Sequence, residues 1–483
     1  MINRRAVIGF SLGPIGVGLL SFVSLPIMAW IFPPDMIGKF SMLQVAIGLS
    51  VVTCCLGLDQ AYAREYHESD DRGALLLNAT VPGLTLLLGV LIILGLSDPP
   101  LLSKLLFGIN SAALSGIVAT CLVIAYLSRF FSVILRMQDR GFAYSMSQIL
   151  SKFALLLIVL GYALFITSRT FMMLMLAQVT ALALTLVAFG WSTRHDWWQS
   201  IRAKLNRLQF QQLLGFGLPL AFAGIATWGV ATLDRVFLRA MSTYEELAIY
   251  SVAASIASGV TILASIFNTV WAPLVYRWVA DDREAAKRVD GIASQVVVVM
   301  VVFLCLVGGS SWILDYVLPS AYGRVSFLVV GCMVSPMFYT LSEVTGIGIA
   351  VSRRTIFALA ASGAAVLFNG AFCFVLVPRF GALGATSATA CAFWLFFALR
   401  TEFSALTWHR LRSVKVHGYA IFCLLFALSY AAFGPRSPPV AILGWWVLLG
   451  IVMFVNRNVI RNLWKVLLLQ IRLAKATGFV EKL

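Results

Sequence analysis

The chain has 483 residues, 60% of them hydrophobic and 12% charged, whereas an average soluble domain is nearer ~25% charged, so a soluble globular fold is excluded. Thirty-six Lys and Arg against 20 Asp and Glu give a net charge of +16. That balance would suggest a nucleic-acid partner if it were clustered on a polar domain, but no polar domain exists to carry it.

The apolar runs are roughly 18 to 25 residues long, enough to cross ~30 Å of hydrocarbon as helix, and predict an all-α polytopic membrane protein. Runs such as Leu84 to Leu96 and Val296 to Val307 lack the in-out alternation over ~10 residues of a membrane β-barrel strand. The first run follows Met1-Ile2-Asn3-Arg4-Arg5 and contains Pro14 and Pro26. It exceeds the ~7 to 15 residues of a signal-peptide core and is expected to remain as the first span.

In chain order, about fourteen spans are predicted, at 8–31, 36–58, 74–96, 111–135, 144–166, 170–191, 211–238, 246–271, 291–314, 324–350, 355–377, 381–403, 417–434 and 439–456. The eight cysteines, Cys54, Cys55, Cys121, Cys305, Cys332, Cys373, Cys391 and Cys423, nearly all sit in these runs without metal spacing and read as small core hydrophobes.

The basic residues orient the spans. Alternate connections, beginning with the N-terminus, hold 25 of the 36 Lys and Arg, and the opposite connections hold Lys39, Lys104, Arg169, Arg239, Arg324, Arg379 and Arg436. By the positive-inside rule both termini are cytoplasmic, and the net charge is mostly topology.

Laid on itself at an offset near 210, the chain repeats weakly: Gly9-Phe10-Ser11-Leu12 echoes Gly215-Phe216-Gly217-Leu218, Lys39-Phe40-Ser41 echoes Ile249-Tyr250-Ser251, and Tyr66 falls opposite Tyr276. Six spans separate the copies, so both halves enter the membrane in the same direction and the pseudo-twofold axis lies along the membrane normal. The expected organisation is an N-lobe over 1–191, a cytoplasmic linker over 192–210, a C-lobe over 211–403, two further spans within 404–456, and a cytoplasmic amphipathic tail over 457–483. The basic linker, with Arg194, Arg202, Lys204 and Arg207, reads as a solvated segment at the membrane surface.

Charges inside spans call for a partner or a polar cavity, because each costs at least ~2.5 to 3.5 kcal/mol near mid-bilayer. Lys152 lies too deep for easy escape to water and is expected to line an anion cavity, the alternative being snorkelling or pairing with an acid in the bundle. Arg129 could snorkel or serve the same cavity. Glu343 could pair with a basic residue or take a proton during transport. Asp234 and Arg235 read as an interfacial charge pair or an outer gate, and Arg400 and Glu402 as anchors near a span end. In the segment from Gly57 to His67, continued helix would put Gln60, Arg64 and His67 on one face. Such a face suits a phosphate, since arginine's planar fork binds its oxygens bidentately; a charged helix cap is the plainer alternative. Asp59 falls with the gating or ion-coupling candidates.

No enzymatic signature is present: His67, His195, His409 and His417 form no metal spacing, and there is no Walker loop. No metal or cofactor is expected, and transport would draw on the membrane potential or on a proton or cation gradient.

Five segments carry a resemblance along essentially the whole chain: 57–67; Gly217-Leu218-Pro219-Leu220 leading to Asp234-Arg235; Ile249-Tyr250-Ser251-Val252-Ala253; Gly346-Ile347-Gly348-Ile349-Ala350 with Arg353-Arg354-Thr355; and 377–386, beginning Val377-Pro378-Arg379-Phe380-Gly381. In their order and spacing the sequence resembles the Wzx-type polysaccharide flippases of the multidrug/oligosaccharidyl-lipid/polysaccharide exporter superfamily. The resemblance implies a bacterial inner-membrane carrier that moves undecaprenyl-diphosphate-linked oligosaccharide from the cytoplasmic to the periplasmic leaflet for O-antigen, capsule or exopolysaccharide assembly. It further implies alternating access around a cationic cavity, with Arg64, Arg129 and Lys152 as N-lobe candidates. Polysaccharide polymerase and glycosyltransferase components are implied as neighbours. Beyond Arg235 the second half offers few basic residues before Arg400, so the expected cavity is positive on one side only.

Two other classes compete. A drug or organic-cation antiporter of the same architecture would want exposed acids and aromatics in the cavity. A polytopic polymerase or transferase of lipid-linked sugars would want a substantial periplasmic loop, yet the outer connections are short, 97–110 being among the longest.

Overall fold

The computed structural model describes residues 4–461 except 167–168, 282–284, 355 and 410–413; most of the predicted amphipathic tail therefore lies outside the described residues. A chain in hydrocarbon must satisfy its backbone groups internally, and the described residues form helices with no strand.

The first half contains α1 (Arg4–Ile31), α2 (Pro34–Cys54), α3 (Leu58–Glu65), α4 (Arg72–Ser97), α5 (Leu101–Phe107), α6 (Ala112–Met137), α7 (Gly141–Phe165) and α8 (Phe171–Ser192). A surface helix, α9 (Arg194–Arg202), then leads into α10 (Arg207–Met241), α11 (Tyr244–Ala257), α12 (Gly259–Asp281), α13 (Ala285–Ser310), α14 (Leu314–Val317), α15 (Val325–Thr345), α16 (Ile347–Val351), α17 (Ile356–Phe380) and α18 (Ala382–Thr407). Two last helices follow, α19 (Val414–Phe433) and α20 (Pro438–Val455). Polar residues start several of these: Asp71, Ser111, Thr170, Asn206 and Thr243 each accept a first-turn backbone N–H.

Among the described residues, thirteen helices are long and apolar enough to cross a membrane. The eighth predicted span, 246–271, differs from expectation. It is two helices, α11 and α12, divided at Ser258, whose N–H turns back to the carbonyls of Ala254 and Ser255.

Helix packing in the two halves is mirrored. α1 lies against α7 as α10 lies against α17, α6 against α8 as α15 against α18, and α1 against α11 as α10 against α2. At the centre α2 packs on α11, and the hydroxyls of Ser41 and Ser251 meet at 2.7 Å. These two serines occupy matching positions of the sequence repeat, so the axis relating the halves passes between them. The last helix joins the second half through glycine gaps on α13: Trp445 packs on Gly308, and Trp446 Nε1 donates to the Gly309 carbonyl at 3.1 Å.

One end of the bundle is sealed between the halves. Arg239 Nε and the Tyr244 hydroxyl donate to the Leu106 carbonyl at 3.1 and 3.0 Å, Trp30 Nε1 donates to the Val317 carbonyl at 2.7 Å, and Gly38 abuts the Tyr244 backbone. The opposite end carries α3, α9 and the connections rich in Arg and Lys. α15, at the heart of the second half, is buried nearly all round: apart from Phe327, its side chains are open only at Cys332, Pro336, Tyr339 and Glu343, which repeat at helical spacing along one stripe.

Candidate functional site

Two cavities flank the central helices. The smaller, of about 440 Å³, lies among α1, α2, α7, α8, α10 and α11 and is lined by hydroxyls and amides, including Ser21, Ser24, Gln44, Gln148 and Gln178, together with Lys152 and Arg235. Lys152 stands eleven residues into α7, about 16 Å of helix, and donates to the Ser21 hydroxyl. Gln44 and Gln178 bond each other at 3.1 Å. Among the described residues neither Lys152 nor Arg235 has an ion-pair partner, and Arg235 Nε is buried without a hydrogen bond. An unpaired buried cation is expensive unless a ligand neutralises it. Two cations beside hydroxyl and amide donors are groups that can hold an anion.

The larger cavity, of about 870 Å³, lies in the second half and shares Arg235, Ala254 and Ser258 with the first. Its carboxylates are occupied. Asp234 is buried, accepting from the Arg235 N–H at 2.7 Å, from Thr389 at 3.0 Å and from the Tyr250 hydroxyl. Glu343 pairs with Arg400, which also donates to the Ser342 hydroxyl at 3.2 Å.

The segment thought to offer a phosphate face is a corner instead. Leu56 and Gly57 adopt positive φ values of 50° and 69°, so α2 stops at Cys54 and α3 leaves in a new direction. Gln60 and Arg64 lie on α3, which ends at Glu65, and His67 follows in the turn beyond it. Arg64 stacks on Phe216, its guanidinium 4.4 Å from the ring centre, and lies 3.6 Å from Glu65. Gln60 is exposed. Just beyond, Tyr66 is backed by Arg72 at 4.6 Å, and burial pushes its phenol above the ordinary value while Arg72 opposes the shift.

Arg129 also departs from its expected role. Its Nε and Nη2 both donate to Asp59 Oδ2, at 2.9 and 2.6 Å, and Asp59 is buried. This pair holds α3 to α6 rather than waiting for a ligand or an ion. Replacing Arg129 with Gln leaves the Asp59 carboxylate alone, and thermal unfolding in detergent should reveal a loss of about 1–3 kcal/mol. That is less than the ~3–5 kcal/mol of a fully buried pair, because Arg129 remains about a third open. The Asp59→Asn/Arg129→Gln double variant should recover part of the loss; impaired transport with unchanged stability would instead return Arg129 to the ligand path.

Of the four residues expected to bind substrate, the structure thus brings only Lys152 to an interior cavity, and it joins Lys152 to Arg235, which the sequence suggested as a gate. Arg400, expected to anchor a span end, is a cavity residue because α18 continues seven residues past it to Thr407. Tyr339 also lines the larger cavity and is missing from the sequence-based candidates. The signal for it was the stripe Cys332, Pro336, Tyr339, Glu343, with small or polar residues recurring in an otherwise apolar run.

Residues 4–279 match the family model described as polysaccharide biosynthesis protein. No curated protein matches the chain. Among solved structures it is similar to a lipid II flippase MurJ in an inward closed conformation, with TM-score 0.61 and 13% identity, over 95% of this chain and 100% of that one. A MOP superfamily transporter from Pyrococcus furiosus aligns at TM-score 0.47 and 14% identity over 85% of this chain and 96% of that one. A MATE P26A mutant aligns at TM-score 0.47 and 15% identity over 85% and 97%. The match over residues 4–279 settles the family and the solved structure the fold: the chain belongs to the polysaccharide biosynthesis protein family, shares the fold of the lipid II flippase MurJ, and is a multi-pass membrane protein.

Proposed function

We propose that the protein is a flippase that carries an undecaprenyl-diphosphate-linked oligosaccharide repeat unit from the cytoplasmic to the periplasmic leaflet of a bacterial inner membrane by alternating access. The observation that carries this reading is the pair Lys152 and Arg235, two cations without carboxylate partners in one cavity of hydroxyls and amides. Their charge complements the roughly two negative charges of a diphosphate, and the surrounding side chains suit its oxygens and the first sugar. The excess of Arg and Lys at one end supports a cytoplasmic orientation of that end, with the sealed end toward the periplasm. The polyprenyl chain stays in lipid between the halves.

Moving two negative charges toward the positive side gains up to about 4.6 kcal/mol at 100 mV if they cross the full field, so the membrane potential suffices without a nucleotide. The organic-cation reading fares less well, because Asp234 and Glu343 are already engaged by neighbours.

The test is purified protein in liposomes with a fluorescent polyprenyl-diphosphate oligosaccharide and an imposed potential. Wild type should move the lipid between leaflets, and Lys152→Ala or Arg235→Ala should each slow it about ten- to hundredfold, the equivalent of a charge-assisted bond worth ~1.5–3 kcal/mol. Movement unaffected by both substitutions sinks the anion-cavity reading; no movement of any glycan-lipid by folded wild type sinks the flippase reading.

A further inference from the structure

We infer that the larger cavity is a glycan subsite, in which a pyranose ring lies on Tyr339 beside the Glu343 and Arg400 pair while the diphosphate remains on Lys152 and Arg235. This assignment rests on the flippase reading and adds to it the direction in which the cargo lies.

The first argument is charge. In the smaller cavity Lys152 and Arg235 have no carboxylate within ion-pair distance, whereas in the larger one Asp234 is held by the Arg235 backbone N–H, Tyr250 and Thr389, and Glu343 by Arg400. A neutral, polar ligand fits the larger cavity better than a diphosphate does. Its volume of about 870 Å³ lies within the range of small-molecule sites, ~300–1,000 Å³.

The second argument is shape. Tyr339 is the single exposed residue of α15, 39% open where the rest of the helix is packed. Its ring lies parallel to that of Phe396, within 1° and with centroids 6.2 Å apart, so the two aromatic rings stand side by side on the cavity wall. Together they offer aromatic surface of the kind that takes the C–H face of a sugar.

The third argument is polarity. Next to this surface, one helical turn along α15, Glu343 offers acceptors, and Arg400, stacked on Phe396 at 5.3 Å, lines the same cavity. A carboxylate and a guanidinium side by side match adjacent sugar hydroxyls, each of which both donates and accepts. An organic cation would find Glu343 already neutralised. Because Arg235 lines both cavities, a sugar diphosphate can reach across it with phosphates on one side and glycan on the other.

The experiment compares leaflet transfer of two fluorescent probes in liposomes: polyprenyl diphosphate bearing a neutral oligosaccharide, and polyprenyl diphosphate bearing none. Tyr339→Ala should slow the glycan-bearing probe about tenfold, the factor given by losing one aromatic contact, and leave the bare diphosphate unchanged. Tyr339→Phe, which keeps the ring, should transfer both at the wild-type rate. Transfer of the bare probe also reports that Tyr339→Ala is folded. Equal slowing of both probes, or slowing of neither, overturns the glycan subsite while leaving the flippase reading standing. Failure of wild type to move either probe overturns that reading and this inference with it.

Discussion

Oxidative cross-linking of the Ser41→Cys/Ser251→Cys variant should abolish transport, and reduction should restore it. The serine hydroxyls lie 2.7 Å apart, which brings the two side chains within the reach of a disulfide. Each serine stands seven residues from the start of its helix, Ser41 from Pro34 in α2 and Ser251 from Tyr244 in α11, so the bond would sit about 10 Å inside the sealed end. That end is already held by Arg239, Tyr244 and Leu106. Those hydrogen bonds can exchange with water when the halves part; a covalent bond on the axis cannot. The native cysteines are all free thiols among the described residues, and each single substitution serves as the control for side oxidation. Full transport by the oxidised double variant, with the cross-link verified by mass, would mean that the halves do not separate at this end.

The second large effect is on folding. Gly57→Ala should destabilise the protein by about 2–5 kcal/mol, read as a lowered thermal midpoint in detergent. Its φ of +69° costs an L-residue ~1–2 kcal/mol, and a methyl there would overlap the Gly217 carbonyl on α10, an overpacking that costs a further ~1–3 kcal/mol. A backbone cannot swing aside as a side chain would. Gly217→Ala meets the same contact from the other side, where the nearest Gly57 and Leu56 backbone atoms stand at 2.9 Å. Gly215 lies on the same helix with nothing within 4 Å, so Gly215→Ala should instead raise the midpoint slightly, as alanine favours helix by up to ~1 kcal/mol. Indistinguishable midpoints for Gly57→Ala and Gly215→Ala would show that the corner yields.

These two predictions mark the boundary of what the sequence made legible. The spans were readable because an uninterrupted apolar run is a local signal, and Lys152 stood out because a charge in the middle of such a run has nowhere to go. The division at Ser258 escaped because the apolar stretch continues across it, and the corner at Gly57 because nothing in the sequence requires the helix to turn there. Pairings were harder still. Asp59 and Arg129 are 70 positions apart, and Glu343 and Arg400 are 57; only helix packing decides that each charge is met rather than open. Arg235 looked like a gate because its span was drawn to end at 238, whereas α10 runs on to Met241.

The stripe along α15 has a consequence for how such a carrier diverges. Most of that helix is locked against neighbours on every side, so a substitution there disturbs the core. Cys332, Pro336 and Tyr339 border the larger cavity and can change with less effect on packing, and Glu343 can change together with Arg400. Descendants of this chain could therefore alter what they carry through a few positions on one helix while inheriting an unaltered scaffold. Variation among relatives should gather on that line and thin out beside it.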